Sequence, residues 1–211
     1  MDELDLLKKD WKKQDTDYPK LTYNEIYKLI HKKSSSVVKW ILIICITEFL
    51  FWGIINLLIP DSYFDIYEKL QLKTVLNISY VIHYIVVVGF IYLFYKNYSS
   101  ISVIENTSLL MKKIIRTRKT VNYYVYYNLF ITVTLSLIIN VIMFSDPKLL
   151  VEVFNPKHIA IADNKLFYIL LIAQIIGLVV MVGLLWLYYR IIYGILLKKL
   201  TKNYKELDTL E

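Results

Sequence analysis

The chain has 211 residues, 57% of them hydrophobic and 15% aromatic, and a formal net charge of +7. A soluble domain of this length needs more polar surface to cover its core, and the charges cluster between long stretches that carry almost none, so the composition excludes an ordinary soluble enzyme and indicates an integral membrane protein. A single cysteine, Cys45, excludes an intrachain disulfide framework and a cysteine cluster for zinc or iron–sulfur, while 5 glycines and 4 prolines favour long uninterrupted helices.

Residues 1–36 carry eight lysines and seven acids. They are not a cleavable signal peptide, whose apolar region would come earlier. Leu4, Leu7 and Trp11 form an apolar stripe at helical spacing, and Pro19 then breaks the chain. Thr22 with Glu25 makes a capping box, so a second amphipathic helix starts there, with Ile26, Leu29 and Ile30 on its apolar face. It can run through Ser34–Ser36 into the stretch that follows. These apolar faces have to meet a partner protein, the bilayer surface or the central loop.

Four stretches of 21 to 24 residues follow, at 37–59, 75–95, 123–144 and 166–189. About 20 helical residues cross the hydrocarbon core, and in lipid the backbone must bond internally, so each is a transmembrane helix. The segments between them are an outer loop at 60–74, a basic cytoplasmic helical loop at 96–122, an outer loop at 145–165 and a basic tail at 190–211. Residues 1–36, 96–122 and 190–211 carry eight, six and five Lys or Arg, against two in 60–74 and three in 145–165. The positive-inside rule therefore puts both termini and the central loop in the cytoplasm. The predicted fold is an all-α integral membrane protein with four transmembrane helices, N-in and C-in, and short amphipathic cytoplasmic helices.

Trp40, the Tyr123, Tyr124, Tyr126 and Tyr127 cluster, and Trp186, Tyr188 and Tyr189 fall at the predicted cytoplasmic edges, where amphipathic rings prefer to sit. The run KKIIRTRK places Lys112, Lys113, Arg116, Arg118 and Lys119 close to the membrane, where they should attract anionic lipid headgroups. The same rule accounts for the net positive charge, so no nucleic-acid partner is implied.

Glu48 is the sharpest single feature. It lies in the middle of the first span, where a charge costs several kcal/mol, so it is neutral or paired within the bundle. The candidate partners are His83 in the second span and Asn140 or Gln174 in the later ones. Two readings stand: a proton or ion pathway or sensing switch, and interhelical glue, the second weighing more because no other span holds a carboxylate. The third span carries a polar ladder at Tyr124, Asn128, Thr132, Ser136 and Asn140, each four residues apart and so on one face. Such a stripe lines a cavity or, more often, a bundle interface. Ala173 and Gly177 form a small-xxx-small pair that suggests close helix packing. His31, His83 and His158 lie in separate segments and supply no metal site, so the carotene-oxygenase label sometimes attached to chains of this appearance has no support. No Walker motif, Gly-rich nucleotide loop or Ser/His/Asp set stands out, and no cofactor is expected.

The Lys-rich Trp11 helix, Pro19, the NEIYKLIHKKSSS block and the VKW opening of the first span, over residues 4–50, resemble a family of uncharacterised bacterial four-span membrane proteins. The resemblance implies a gene placed beside extracytoplasmic-function RNA polymerase sigma factors, and hence a regulator in the bacterial cytoplasmic membrane. It brings no catalytic residues. The leading expectation is a non-enzymatic, anti-sigma-like regulator that binds a cytoplasmic partner through Leu4, Leu7, Trp11, Ile26 and Leu29, because buried aromatic and aliphatic anchors dominate interfaces. The alternative is a small transporter or membrane enzyme using Glu48 and the polar face of the third span. Homo-oligomerisation, or a place in a larger membrane complex, stays open.

Overall fold

The computed structural model describes residues 22–60, 62–102, 106–154 and 163–209. Six helices occur among them: α1 (Tyr23–Leu58), α2 (Ser62–Lys69), α3 (Lys73–Ser102), α4 (Thr107–Ser145), α5 (Pro147–Phe154) and α6 (Asp163–Asp208). Four of these, α1, α3, α4 and α6, are long and apolar enough to cross a membrane. Each rises about 1.5 Å per residue and so exceeds the roughly 30 Å of a hydrocarbon core. The four form an antiparallel ring in which α1 packs on α3, α3 on α4 and α4 on α6. Helix α6 closes the ring against α1, and α1 touches α4 across the diagonal.

The helices run well past their apolar stretches. The helix expected at 22–36 is not a separate element, since it is the first part of α1, which nothing interrupts before Leu58. The central segment 96–122 is the end of α3 and the start of α4, and most of 190–211 is the continuation of α6. These extensions pack on one another at the end of the ring flanked by Lys39, Lys96, Lys119 and Lys198, called here the basic end. Ile30, Ile101, Leu110, Ile114, Leu200 and Leu207 are all buried there. Ile26 and Ile30 of the apolar face of residues 22–36 therefore find their cover within the chain, whereas Leu29 stays exposed.

Polar contacts fix the register of this bundle. The Asn203 side-chain amide donates to Ser34 Oγ at 3.0 Å, and both residues are buried. The His31 Nε2 lies 2.7 Å from the Ile101 carbonyl, and Asn97 donates to Thr120 Oγ1 at 3.2 Å. Tyr23 and Thr107, at the starts of α1 and α4, share a hydroxyl–hydroxyl bond of 2.8 Å.

The opposite end is closed by two short helices lying in the segments expected to be outer loops. Leu70, Leu72, Leu76, Met143 and Leu150 form a second, smaller core there. Helix α2 ends in a turn in which Gln71 N–H donates to Glu68 O and Leu72 N–H to Tyr67 O, the paired bonds of a Schellman motif. Gln71 holds the left-handed position of that motif at φ 57°, where glycine is usual. Helix α5 starts on Asp146, whose Oδ1 accepts from the N–H groups of Lys148 and Leu149, with Pro147 as its first residue.

Between these two cores the ring is loose. From Glu48, Val87, Asn128 and Tyr189 out to Leu76 and Met143, no described residue of the four long helices is buried. The close approach expected at Ala173 and Gly177 is not formed, because a side chain at Gly177 would meet nothing within 4 Å. Apolar side chains instead point outward, as lipid-facing residues must, Leu57 being 86% exposed.

Two predictions follow from this architecture. Leu200→Ala, which opens a cavity in the basic-end core, should lower stability by about 2–5 kcal/mol, whereas Leu57→Ala should stay within about 0.5 kcal/mol. Unfolding of the purified protein in detergent micelles measures both. At the start of α1, Thr22 N–H and hydroxyl donate to Glu25 Oε2 at 2.8 and 2.9 Å, and Glu25 N–H returns a bond of 3.4 Å to Thr22 Oγ1. The Thr22 backbone bond, with the hydroxyl bond behind it, holds the Glu25 carboxyl below its ordinary value. A depressed carboxyl contributes above its unfolded value and loses that contribution as pH falls through its folded value. Hydrogen exchange at the amides of α1's first turn should therefore accelerate, relative to the helix centre, on acidification below the usual carboxylate range. Thr22→Ala should show the faster exchange already at neutral pH.

Candidate functional site: a buried carboxylate beside an aromatic cavity

Helix α1 turns one stripe inward: Ile30, Ser34, the adjacent Val37 and Val38, Ile41, Cys45 and Glu48, otherwise spaced three or four apart. The stripe begins as an apolar bundle core and ends on a carboxyl group. Helices α4 and α6 answer it with Tyr124 and Tyr193. Tyr124 donates its hydroxyl to Glu48 Oε2 at 2.6 Å, and Tyr193 donates to the same oxygen at 3.0 Å. The other oxygen, Oε1, is buried without a hydrogen-bond partner among the described residues. Rings close around this point. Tyr124 packs edge-on against Phe90, Phe94 and Tyr189, and Tyr193 packs against both tyrosines.

On the side away from the basic end the carboxyl group borders a cavity of about 160 Å³. Helix α1 contributes Phe49, Trp52 and Asn56, and helix α3 contributes Tyr80, His83, Tyr84 and Val87, with Tyr124 and Tyr189 completing the wall. Asn56 donates to Tyr84 Oη at 3.2 Å and to the Trp52 carbonyl at 3.0 Å, which ties α1 to α3 at the mouth. His83 stacks on Tyr127 with ring centroids 5.8 Å apart, and its Nδ1 lies 3.4 Å from the Tyr127 hydroxyl.

The carboxylate lies in the bundle interior, as expected from its position in the first span, but its partners differ from those expected. Its hydrogen bonds go to tyrosines, not to His83, Asn140 or Gln174. The asparagines are engaged locally: Asn128 donates to the Tyr124 carbonyl at 2.8 Å and Asn140 to the Ser136 carbonyl at 2.7 Å, each four residues back on its own helix. Of the ladder, Tyr124 and Asn128 are buried, whereas Thr132, Ser136 and Asn140 are half-buried, as is Gln174. Tyr124 and Tyr189 are not surface-edge rings but part of the carboxylate's wall. Tyr193 lies outside the predicted spans, yet the sequence carries a signal for it. Tyr193, Leu200 and Leu207 repeat every seven residues, so the apolar face of the C-terminal segment carries Tyr193 inward.

Among the expected partner contacts, Leu4, Leu7 and Trp11 lie outside the described residues. Ile26 packs against the basic-end core, and Leu29 remains exposed. Lys112, Arg116 and Lys119 are exposed on α4, while Lys113 and Arg118 are half-buried. Arg118 shares an open groove with Lys198, Lys199, Lys202 and Lys205 of α6, floored in part by Ile195 and Leu197. No cluster of three or more metal-ligating side chains occurs among the described residues.

The family model described as a domain of unknown function, DUF8845, matches residues 24–211. The chain belongs to the DUF8845 family. The match takes in all four long helices of this DUF8845 protein and so both the buried carboxylate and the basic-end bundle. No curated protein and no solved structure matches the chain.

The site makes a graded prediction. Tyr193→Phe removes one donor from Oε2 and should cost about 1 kcal/mol. Glu48→Ala leaves both buried hydroxyls without their acceptor and should cost about 1–3 kcal/mol for each. Glu48→Gln keeps an acceptor oxygen and should unfold close to wild type. Unfolding curves of the three variants in the same detergent give the ranking.

Proposed function

We propose that this protein is a non-enzymatic regulator of the bacterial cytoplasmic membrane, with its basic end in the cytoplasm, where it holds a partner protein. The observation that carries the reading is the basic-end bundle. All four membrane helices continue beyond their apolar stretches into a packed unit with its own core. The cytoplasmic placement of that end rests on its excess of lysine and arginine. Leu29 stays exposed on α1 beside the basic Lys28, Lys32 and Lys33, a surface that suits an apolar contact with an acidic rim. The partner implied by the resemblance of residues 4–50 is a sigma factor, and the regulator is then anti-sigma-like.

A second reading is favoured by the cavity at Glu48. A buried ionisable group inside a membrane bundle is a functional candidate in its own right, and a small transporter would need one. This reading puts the activity in the membrane interior instead of at the basic end.

Affinity isolation of the C-terminally tagged protein from native membranes in mild detergent tests the regulator. Wild type should retain a cytoplasmic partner that the Leu7→Ala, Trp11→Ala double variant loses while still inserting in the membrane. Unchanged retention in that variant would remove the interface assignment.

A further inference from the structure

We propose that the cavity beside Glu48 is a binding site for a small organic ammonium ion, with the carboxylate as counter-ion and the surrounding rings as its cage. Four observations converge on that ligand chemistry. Glu48 has one oxygen committed to Tyr124 and Tyr193 and a second, buried oxygen without a direct hydrogen bond among the described residues, with the Tyr188 hydroxyl also near the carboxyl group. A buried polar atom without a partner is costly, and for a carboxylate the strongest available partner is a cation that also donates a hydrogen bond or packs closely. No lysine or arginine lines the cavity, so a positive charge beside this carboxyl group there would come from the occupant.

The walls decide what kind of cation. Phe49, Trp52, Tyr80, Tyr84, Tyr124 and Tyr189 make six of the lining residues aromatic. Ring faces attract ammonium groups electrostatically, and cages of this composition are how proteins recognise alkylated amines. A bare calcium or magnesium ion would instead require six or more oxygen ligands, or a retained water shell. The lining supplies one carboxylate, a few phenols and Asn56.

Size narrows the class further. A cavity of about 150 Å³ in a protein interior holds a benzene molecule, and this one measures about 160 Å³. It therefore suits an ammonium ion of several carbon atoms. Asn56 and His83 add polar groups that a hydroxyl on such a ligand could meet. The mouth lies between α1 and α3, where Trp52 and Tyr80 are exposed, in the part of the ring that is not closely packed.

The site is independent of the partner-binding reading. Loss of one in a variant leaves the other testable, because the residues involved do not overlap. The probe is choline, with 3,3-dimethyl-1-butanol as its uncharged counterpart of nearly the same shape, titrated calorimetrically into the purified full chain in lipid nanodiscs. Choline should bind and the alcohol should bind at least about tenfold more weakly, since the discrimination rests on charge. Glu48→Gln should reduce choline affinity at least about tenfold, and Trp52→Ala, at the exposed mouth where folding is not at stake, should reduce it several-fold. Absence of choline binding to wild type would overturn the proposal. So would equal binding of the alcohol, which would mark the cavity as merely apolar, or full choline affinity in both variants.

Discussion

One carboxylate oxygen holds three helices at a point. Glu48 Oε2 on α1 accepts from Tyr124 on α4 and from Tyr193 on α6, and the ring of Tyr124 rests on Phe90 and Phe94 of α3. Between helices in lipid there is no hydrophobic driving force, since the acyl chains are as apolar as leucine. A polar node in that medium binds helices together because its members have nowhere else to turn. The residues on the basic side of the node are closely packed, and those beyond it are not until the outer cap is reached.

That division follows from a change of solvent along each helix. Past their apolar stretches the helices stand in water, where burying Ile30, Ile101, Leu110 and Leu200 is favourable for the ordinary reason. Nine of the sixteen buried residues of the main core therefore lie outside the apolar stretches that make this a membrane protein. The outer end has a lesser version of the same arrangement, with Leu72 and Leu150 buried under α2 and α5. What lies between is anchored at both ends and pinned at Glu48, which leaves room for a cavity where a continuous core would have filled it.

The number of spans was legible because hydropathy is a local property, and lipid leaves the backbone no choice but helix. The capping box at Thr22 and Glu25 was legible for a similar reason, being written within four residues. Less legible was how far each helix continues. A basic segment between two spans reads equally well as a loop or as two helix ends, and only the long-range match of Ile101, Leu110 and Ile114 with Ile30 and Leu200 decides. The site was half visible. Glu48 announced itself as a charge out of place, and Tyr124 stood in the polar ladder, but tyrosine is so abundant in this chain that Tyr193 carried little signal alone. The asparagines misled because an amide in a span looks like a bridge between helices, and here both bond back to their own helix.

Two polar contacts join the same pair of helices at separate heights. Ser34 meets Asn203, and fourteen residues further along α1, about 20 Å, Glu48 meets Tyr193. A single contact can act as a pivot, but two in series act as a ratchet stop. Sliding α1 along α6 by even one helical turn would break both at once and set polar side chains against Ile41, Leu200 and their neighbours. Piston movement is thus closed to this pair. The movement left open is a scissor in which the outer halves part while the basic end stays clamped, so the angle between these two helices, and not their register, is the coordinate that can change.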